Sequence, residues 1–375
     1  MSIAAPPRRS NVSFLSLALA ATALVAVVAL AIVLAATGSF GQSDDATTVQ
    51  EAAGAPAGPG LNAAVLYAQA NPGVVDITGQ TTTSVPGPFG LSEKAAATQS
   101  GTGLLLDKQG HILTAGHVVA GARNITVTFQ GGATRTAKVL GSDTSTDVAV
   151  LSVPRSGLTL HPLPLGTLSG HRVGDPVAVI GDPFDVQRSL STGVISGLDH
   201  TIQAPNGYNI PHAVQTDAAM NPGNSGGPVL DAGGRVIGIA DQIDTGNSSA
   251  DSSTGVGFAV PIDLVKSELS ELQRGATPAH AYLGVSAADA TNSAGDTGAL
   301  VQSVQAGSPA ARAGVRPGDL IVAIGGAKVT GVNDVTAAIA NHKPGDHTTV
   351  TVIRSGKKMS LTTTLAKQPT RAVTG

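Results

Sequence analysis

Short apolar runs separated by Gly, Pro, Asn and Asp alternate through the middle of the chain, from about residue 100 to residue 262. The runs are rich in Val and Ile, and their length favours β-strands over helices. About ten strands in some 200 residues predict an antiparallel barrel or sandwich. The runs are Gly103–Leu106, His111–Thr114, Ile125–Phe129, Ala137–Leu140, Val148–Val153, Val177–Ile180, Val236–Ile239 and Gly257–Val260.

Helices are predicted at both ends of this domain, which spans residues 61–272. Asn62–Ala70 has the pattern of a short helix, and the Asn-Pro-Gly that follows would stop it. Val74–Ile77 is predicted as the first strand, and residues 81–100 as a long surface loop because they contain Pro-Gly-Pro. Leu264–Leu272 has helical spacing and is expected to close the domain.

A smaller domain is predicted at residues 281–368, after a linker at 273–280 and before a short tail at 369–375. Its clearest signal is a capped helix, in which Ser308 is the N-cap, Pro309 the first helical residue and Gly314 the stop. The other predicted elements are a helix, Val335–Ala340, and the strands Leu320–Ile324, Val350–Ile353 and Ser360–Leu365.

The N-terminus contains an uncharged apolar run, Phe14–Ala36, with two arginines before it and two aspartates after it. As a helix it would cross the roughly 30 Å of bilayer hydrocarbon, and it exceeds the apolar stretch of about 7–15 residues in a usual signal peptide. We expect an uncleaved membrane anchor, with residues 1–13 cytoplasmic and everything after the anchor outside. Small residues at the end of the run leave cleavage as the alternative. Residues 37–60 are expected to form a flexible tether.

Composition excludes several kinds of site. The net charge is −3, so no electrostatic pattern favours nucleic acid. The chain has no cysteine, which excludes disulfides, a cysteine nucleophile and thiolate metal ligands. It also lacks the His-Glu-x-x-His pattern, and the sequence predicts neither a metal nor a cofactor.

One serine lies in a loop of unusual composition, Asn221-Pro222-Gly223-Asn224-Ser225-Gly226-Gly227-Pro228. Glycine allows backbone angles that are closed to other residues and lets another segment approach closely. Such a loop can present a hydroxyl nucleophile together with free backbone N–H groups, which are the two parts that acyl transfer needs. Taken alone, the segment fits an ordinary turn between strands equally well.

A histidine and an aspartate upstream each have apolar neighbours. Of the nine histidines, His117 is the one most enclosed by apolar sequence, although alone it also fits a hydrogen-bonded core histidine. Asp147 opens an apolar strand, where a carboxylate needs a partner or a position at the strand mouth. Asp143 is the competing acid, but its Ser and Thr neighbours look solvent-facing.

Taken in chain order, His117, Asp147 and Ser225 predict a serine hydrolase. His117 would remove the proton from the Ser225 hydroxyl and later donate it to the leaving amine. Asp147 would hold the imidazole in the required tautomer and stabilise its cation. The N–H groups of Gly223 and Ser225 would hold the oxyanion, with a contribution of roughly 3–4 kcal/mol per donor.

These segments resemble the catalytic motifs of trypsin-like serine proteases, most closely those of the HtrA (DegP/DegS-like) family. The matching segments are Thr114–His117, Thr146–Leu151, Gly223–Pro228, Gly181–Phe184, Ser191–Ser196, Gln215–Ala218 and Gly257–Pro261. The resemblance covers about residues 61–367. It implies a mainly β fold, in which a chymotrypsin-like pair of six-stranded β-barrels is preceded by one transmembrane helix and followed by a PDZ domain. Asp185 and the long insert at 244–255 depart from the family pattern.

Through this resemblance, Ala219 stands at the base of the primary specificity pocket, six residues before the serine. A trypsin has an acid at this place, whereas a methyl group offers nothing to Lys or Arg. We therefore expect small or medium aliphatic side chains, such as Val, Ala or Leu, at the residue before the cut bond.

The order of elements in residues 281–368 resembles a PDZ domain. The loop that begins at Tyr282 corresponds to the family loop whose backbone N–H groups bind a peptide's terminal carboxylate. The resemblance places that carboxylate at Leu283, Gly284 and Val285. The alternative is a PDZ-like module that packs on the protease and binds no ligand.

Together these features predict a membrane-anchored, ATP-independent serine endopeptidase of protein quality control or stress signalling. It would cleave unfolded or regulatory proteins outside the cytoplasm, and its PDZ domain would bind C-terminal peptides. The family resemblance also implies a homotrimer. The alternative is a chaperone or peptide-binding scaffold in which proteolysis is secondary.

Overall fold

The computed structural model describes residues 60–86, 92–182, 188–243 and 255–371. The predicted cytoplasmic segment, the predicted anchor and nearly all of the tether lie outside these ranges. So do Asp185, almost the whole insert at 244–255 and the end of the tail. Within these ranges, no helix has both the length and the apolar composition to cross a bilayer.

The first half of the larger domain is an antiparallel sheet. It contains α1 (Ala63–Ala70), a 3-10 turn (Asn71–Gly73), β1 (Val74–Pro86), β2 (Ser92–Leu105), β3 (His111–Ala115), α2 (Gly116–Val119), β4 (Arg123–Thr128), β5 (Thr134–Thr136), β6 (Lys138–Asp143) and β7 (Val148–Ser152). The strands form one seven-stranded sheet in the order β5-β4-β1-β2-β3-β7-β6. The expectation of a six-stranded barrel was therefore wrong here, because the short β5 pairs with β4 and adds a seventh strand.

The surface loop expected at residues 81–100 is instead most of a long hairpin. β1 and β2 pair along their whole length, with Thr81 opposite Ala97 and Thr83 opposite Ala95. From Ala95 to Ser100 the side chains alternate between half-buried and exposed positions. None of the described side chains of this arm, at 81–83 and 95–100, is buried, so the sequence here lacks the alternation by which a half-buried strand is recognised.

The second half is a closed six-stranded barrel, which confirms the expectation for this half. It contains β8 (Pro176–Gly181), β9 (Ser189–Gln203), β10 (Asn209–Thr216), β11 (Pro228–Asp231), β12 (Val236–Ile243), β13 (Gly257–Pro261) and then α3 (Ile262–Gln273). The strand order around the barrel is β10-β13-β12-β11-β8-β9.

Three apolar clusters hold this domain together. One lies within the first sheet around Ile77 and Leu151, and another lies within the barrel around Val179 and Ile237. The third cluster draws side chains from both halves and from α1 and α3. Because this shared core fixes one half against the other, residues from both can meet at the seam in a defined geometry.

The C-terminal domain has its own core, which includes Ile321 and Val350. Its elements are β14 (Ala281–Tyr282), β15 (Val285–Thr291), β16 (Thr297–Val304), α4 (Pro309–Ala313), β17 (Leu320–Ile324), β18 (Ala327–Lys328), α5 (Val332–Ala340), β19 (His347–Arg354), β20 (Lys357–Thr364) and β21 (Ala366–Lys367). The main sheet has the order β15-β16-β17-β19-β20, and β14 pairs with β21 so that the domain's two ends meet.

The predicted capped helix is confirmed. The Ser308 hydroxyl accepts a hydrogen bond from Ala311 N at 3.2 Å, and Gly314 ends the helix at φ 84°. The predicted start of the second helix was three residues late, because α5 begins at Val332. Asp334 lies inside its first turn, where its carboxylate accepts from both Thr330 N and Thr330 Oγ1 at 2.6 Å.

Candidate active site

Short elements of the first half position His117 and Asp147. His117 lies in α2, which follows directly on β3, and Asp147 immediately precedes β7. β3 and β7 are paired neighbours, with Ala115 opposite Val148. Both side chains therefore emerge at the same edge of the sheet.

Asp147 is tied to the segment that carries His117 by three hydrogen bonds. Its Oδ2 is in direct contact with His117 Nδ1, and its Oδ1 accepts from His117 N at 2.8 Å. The Asp147 carbonyl accepts from Gly116 N at 2.7 Å. Asp147 is 1% exposed and has a left-handed backbone at φ 54°, which is uncommon for a residue other than glycine. This arrangement fixes both the position and the orientation of the imidazole.

The competing acid, Asp143, is also buried but has a different partner. Its carboxylate is in direct contact with His280 Nε2 and accepts from Ser145 N at 2.8 Å. Thus the structure brings Asp147, and not Asp143, to His117.

The serine loop is held between the two halves of the domain. Thr102 N, on β2, donates to the Ser225 carbonyl at 2.9 Å, and Gly226 N donates to the Ala240 carbonyl on β12 at 2.7 Å. Gly226 has φ 86°, and a Cβ there would overlap Thr102 O and Thr114 Oγ1. Glycine is therefore required for this close approach.

The Ser225 hydroxyl is hydrogen-bonded to a backbone carbonyl. It donates to the backbone carbonyl of Asp241 at 3.2 Å. Among the residues that the structure describes, no hydrogen bond joins it to His117. A change of the Ser225 rotamer would be needed to bring the two together, and long or misaligned catalytic contacts are common in proteins without substrate.

The two predicted oxyanion donors are the backbone N–H groups of Gly223 and Ser225. Gly223 has φ 101°, and its carbonyl is occupied by the Thr102 hydroxyl at 2.7 Å. Within the described ranges, neither Gly223 N nor Ser225 N donates to a backbone carbonyl. Two backbone N–H groups beside a serine hydroxyl can stabilise the negative charge that develops during acyl transfer.

Ala219 lies on the segment that leads from β10 to the serine loop. It is exposed, whereas Ala218 and Met220 on either side are buried. Its carbonyl accepts from the Ser191 hydroxyl at 2.7 Å, so its backbone is fixed to β9. The structure thus leaves the Ala219 methyl group open to a ligand.

A further acid lies at this site that sequence reasoning missed. Asp241, on β12, has a side chain that is 1% exposed, and its Oδ1 lies 3.6 Å from His117 Nδ1. Burial and then the negative charge of Asp147 raise the pKa of the Asp241 carboxyl well above its usual range. The only local signal was an acid inside the apolar strand that follows Val236.

In the part of the chain that the structure describes, two groups of acids and histidines have the composition of a metal site. One is His117, Asp147 and Asp241, and the other is Asp143, Glu268 and His280; in each, the three potential ligand atoms lie within 4.8 Å of one another. However, both histidines are in direct hydrogen-bond contact with an aspartate. Ligands at about 2.0–2.1 Å from a tetrahedral Zn²⁺ would have to stand further apart than that. Both groups fit hydrogen-bonded pairs better than a metal centre.

The predicted carboxylate loop of the C-terminal domain is well fixed. Gly284 has φ 86°, and its carbonyl accepts from Gln305 N at 3.0 Å, while the Leu283 carbonyl accepts from Ala310 N at 2.9 Å. In the described part of the chain, neither Leu283 N nor Gly284 N donates to a backbone carbonyl outside the strands. Val285 begins β15.

Comparison with known families agrees with this architecture. The model of the trypsin-like peptidase domain matches residues 101–239, and the model of the PDZ domain matches residues 281–365.

Two relatives of similar sequence and one solved structure are each named as proteases. The chain is 37% identical over 318 residues to "Protease Do-like 1, chloroplastic" of Arabidopsis thaliana, which covers 81% of this chain and 71% of that protein. It is 39% identical over 281 residues to "Serine protease Do-like HtrB" of Bacillus subtilis, covering 69% of this chain and 59% of that protein. A solved structure, "HtrA-type protease AlgWS227A with decapeptide", has a TM-score of 0.69 at 32% identity and covers 82% of this chain and 97% of that one.

Proposed function

The chain belongs to the HtrA family of trypsin-like serine endoproteases, with one PDZ domain, and on that premise we propose that it degrades unfolded or regulatory proteins outside the cytoplasm in protein quality control or stress signalling. The site assignment depends most on one observation. The Asp147 carboxylate contacts both the ring and the backbone N–H of His117, near the glycine-rich loop that contains Ser225.

In the proposed mechanism, the Ser225 hydroxyl first turns from the Asp241 carbonyl toward His117. His117 then takes its proton as the serine attacks the substrate carbonyl, and Asp147 stabilises the resulting imidazolium. The N–H groups of Gly223 and Ser225 bind the oxyanion. His117 then donates the proton to the leaving amine, which departs and leaves an acyl group on Ser225. Water, activated by His117, attacks this acyl-enzyme and releases the carboxylic acid product.

Ala219 is proposed to determine which substrate side chain enters the primary specificity pocket. Its exposed methyl group provides apolar contact and no charge, which favours Val, Ala or Leu before the cut bond. This preference suits a protease that recognises and cleaves the apolar segments that unfolded chains expose.

The PDZ domain is proposed to bind C-terminal peptides at Leu283, Gly284 and Val285. Support comes from the loop geometry, in which the Leu283 and Gly284 carbonyls are occupied by hydrogen bonds inside the domain. A peptide would add as a strand beside β15. The solved relative described with a decapeptide is consistent with peptide binding by proteins of this kind.

Anchoring and assembly are further parts of the proposal. The apolar run Phe14–Ala36 would hold the protein in the membrane with the protease outside, as the flanking charges indicate. Anchored copies on one membrane would have a raised effective concentration, which favours the homotrimer implied by the family.

Hydrolysis of casein by the full chain in detergent tests the proposal. We expect the wild type to hydrolyse casein and Ser225→Ala to be inactive. Peptides with apolar C-termini should bind the PDZ domain and change the rate of hydrolysis. Gly284→Val in the PDZ loop should remove the peptide effect and keep basal hydrolysis. If Ser225→Ala still cut casein, the nucleophile assignment would be wrong. If that variant restored growth of stressed cells as well as the wild type does, the scaffold function would replace the proteolytic one.

A further inference from the structure

The acid at position 241 touches all three members of the proposed triad. Its side chain lies 3.6 Å from His117 Nδ1 and within hydrogen-bonding reach of the Asp147 carboxyl. Its backbone carbonyl accepts the Ser225 hydroxyl at 3.2 Å. β12 belongs to the barrel, whereas His117 and Asp147 belong to the first half of the domain, so these contacts cross the seam between the halves.

Among the described residues, no hydrogen-bond donor reaches the Asp241 carboxyl. Both of its oxygens are buried, and neither accepts a hydrogen bond from any N–H or O–H group in the described ranges. Leaving an ionised carboxylate without a donor in such a place costs several kcal/mol, and the cost grows beside another negative charge. Asp241 and Asp147 cannot both remain ionised at ordinary pH without a compensating cation.

One shared proton resolves this conflict, and the contacts decide which acid carries it. Asp147 accepts from the backbone N–H of His117 and contacts its ring, and both interactions favour the ionised form. Asp241 receives no such support. The proton therefore belongs on Asp241, where it also supplies the donor that this buried side chain otherwise lacks.

We propose that the Asp241 carboxyl is protonated in the working enzyme and donates a hydrogen bond to Asp147, which makes Asp241 a positioning residue for the His117–Asp147 pair. This inference rests on the triad assigned above. The bound proton keeps the charge beside His117 at a single negative unit, which is the charge that an imidazolium needs as its partner. The hydrogen bond also adds a contact across the seam that helps to fix the Asp147 carboxylate.

The proposal predicts a specific pH dependence. The ionisable groups that face Asp241 are His117 from α2 and Asp147 from the turn before β7. The other elements packed on β12 present no ion pair to it among the described residues. When Asp241 loses its proton at alkaline pH, two carboxylates are left side by side, and their repulsion displaces Asp147 from His117. The turnover number should therefore fall at alkaline pH.

Three variants of the full chain in detergent test this with a fluorogenic peptide substrate. Asp241→Ala removes the donor, and kcat should fall roughly 10- to 100-fold, as for loss of a hydrogen bond to a charged group, with little change in KM. Asp241→Asn keeps a donor that cannot ionise, so it should recover most of the lost kcat and lack the alkaline decline. Asp231→Asn removes a buried acid that is paired with Arg235 instead, and it should leave the shape of the pH profile unaltered.

Infrared difference spectra report the proton directly. The spectrum of the wild type minus that of Asp241→Asn at pH 8 should contain the carbonyl band of a protonated carboxylic acid, and this band should disappear with the same midpoint as the alkaline loss of activity. Absence of the band would overturn the proposal, as would an Asp241→Asn variant that is folded but as slow as Asp241→Ala. Failure of the triad itself is separate, because it would appear as hydrolysis that survives Ser225→Ala.

Discussion

At the scale of single residues, the site depends on a strained backbone position. Asp147 has φ 54°, a conformation that costs about 1–2 kcal/mol for a residue with a Cβ. The hydrogen bonds from Gly116 N and His117 N stabilise this conformation. In return, the carboxylate meets the imidazole through one oxygen and the backbone through the other, so its own orientation is fixed.

Replacing this carboxylate separates the two candidate acids. Asp147→Asn keeps the shape but presents the wrong hydrogen-bonding group to His117, so kcat should fall by roughly three to four orders of magnitude. Asp143→Asn is the matched control and should reduce kcat far less, because Asp143 pairs with His280. Steady-state hydrolysis of a peptide substrate measures both. A larger loss in Asp143→Asn would reverse the assignment.

The identity of residue 219 sets the expected cleavage preference. Wild-type protein should cut unfolded casein mainly after Val, Ala or Leu, as mapped by mass spectrometry of the products. Ala219→Asp places a carboxylate at the exposed position, and cleavage should move toward Lys and Arg. A wild type that already cuts mainly after Lys and Arg would show that Ala219 does not line the pocket.

The residues of this site differ in how far the sequence could predict them. His117, Asp147 and Ser225 each lie in a local pattern that indicates a role, and the family resemblance orders them. Asp241 was missed because its importance arises from contact with residues that are remote along the chain. No periodicity or neighbouring motif distinguishes it from an acid at a strand end.

At the scale of elements, close approach of strands and loops builds the site. The serine loop fits between β2 and β12 because the residue that contacts Thr102 and Thr114 is Gly226, which has no Cβ. Many strands that pack in the cores were predicted from their apolar runs, but β9, β10 and β11 were not, although each contributes side chains to a core. The part of the β1–β2 hairpin at residues 81–100 was also not predicted, because none of its described side chains is buried and its strands are joined by pairing.

Adding one methyl group at the contact tests this account of the loop. In Gly226→Ala, the new Cβ would overlap Thr102 O and Thr114 Oγ1, so the free energy of unfolding should fall by about 3 kcal/mol or more and hydrolysis should be lost. Gly234→Ala is the control, since it has a similar φ of 75° but open space around its Cβ. It should lose only about 1–2 kcal/mol. Equal losses in urea denaturation would show that backbone strain, and not packing, decides the effect.

At the scale of the whole molecule, a buried polar cluster connects the start of the PDZ domain to the catalytic edge. His280, just before β14, contacts Asp143, and Glu268 on α3 accepts from the Thr146 hydroxyl at 2.8 Å. Thr146 is the residue before Asp147. Burial and the charge of Asp143 raise the pKa of Glu268 to about 7. Burial lowers the pKa of His280, but the hydrogen bond and charge of Asp143 outweigh it and raise that pKa overall.

Both shifts make the folded protein less stable as the pH rises. Glu268 binds its proton more tightly when folded, so its contribution declines between about pH 4.5 and pH 7. The contribution of His280 is complete below its unfolded pKa of about 6.5 and is lost as the pH rises through the folded value. Urea denaturation should show stability decreasing from pH 5 to pH 8, by on the order of 2–3 kcal/mol from Glu268.

Variants on α3 identify the source of this slope. Glu268→Gln should flatten the decline between pH 5 and pH 7. Asp263→Asn, on the exposed face of the same helix, is the control, because burial raises the pKa of Asp263 but hydrogen bonds from Lys266, Leu168 N and Thr167 together outweigh it and lower that pKa overall. Its linkage is confined to acid below about pH 4, so the slope should persist. A slope that Glu268→Gln leaves intact would exclude this cluster as the cause.

The central claim, that His117 activates Ser225, is tested most directly by labelling with a fluorophosphonate. Full-length protein in detergent should take up one label, located on Ser225 by peptide mass mapping, and His117→Ala should slow the labelling by at least about 10³-fold. A label on another residue, or labelling of Ser225 at an unchanged rate in His117→Ala, would contradict the account.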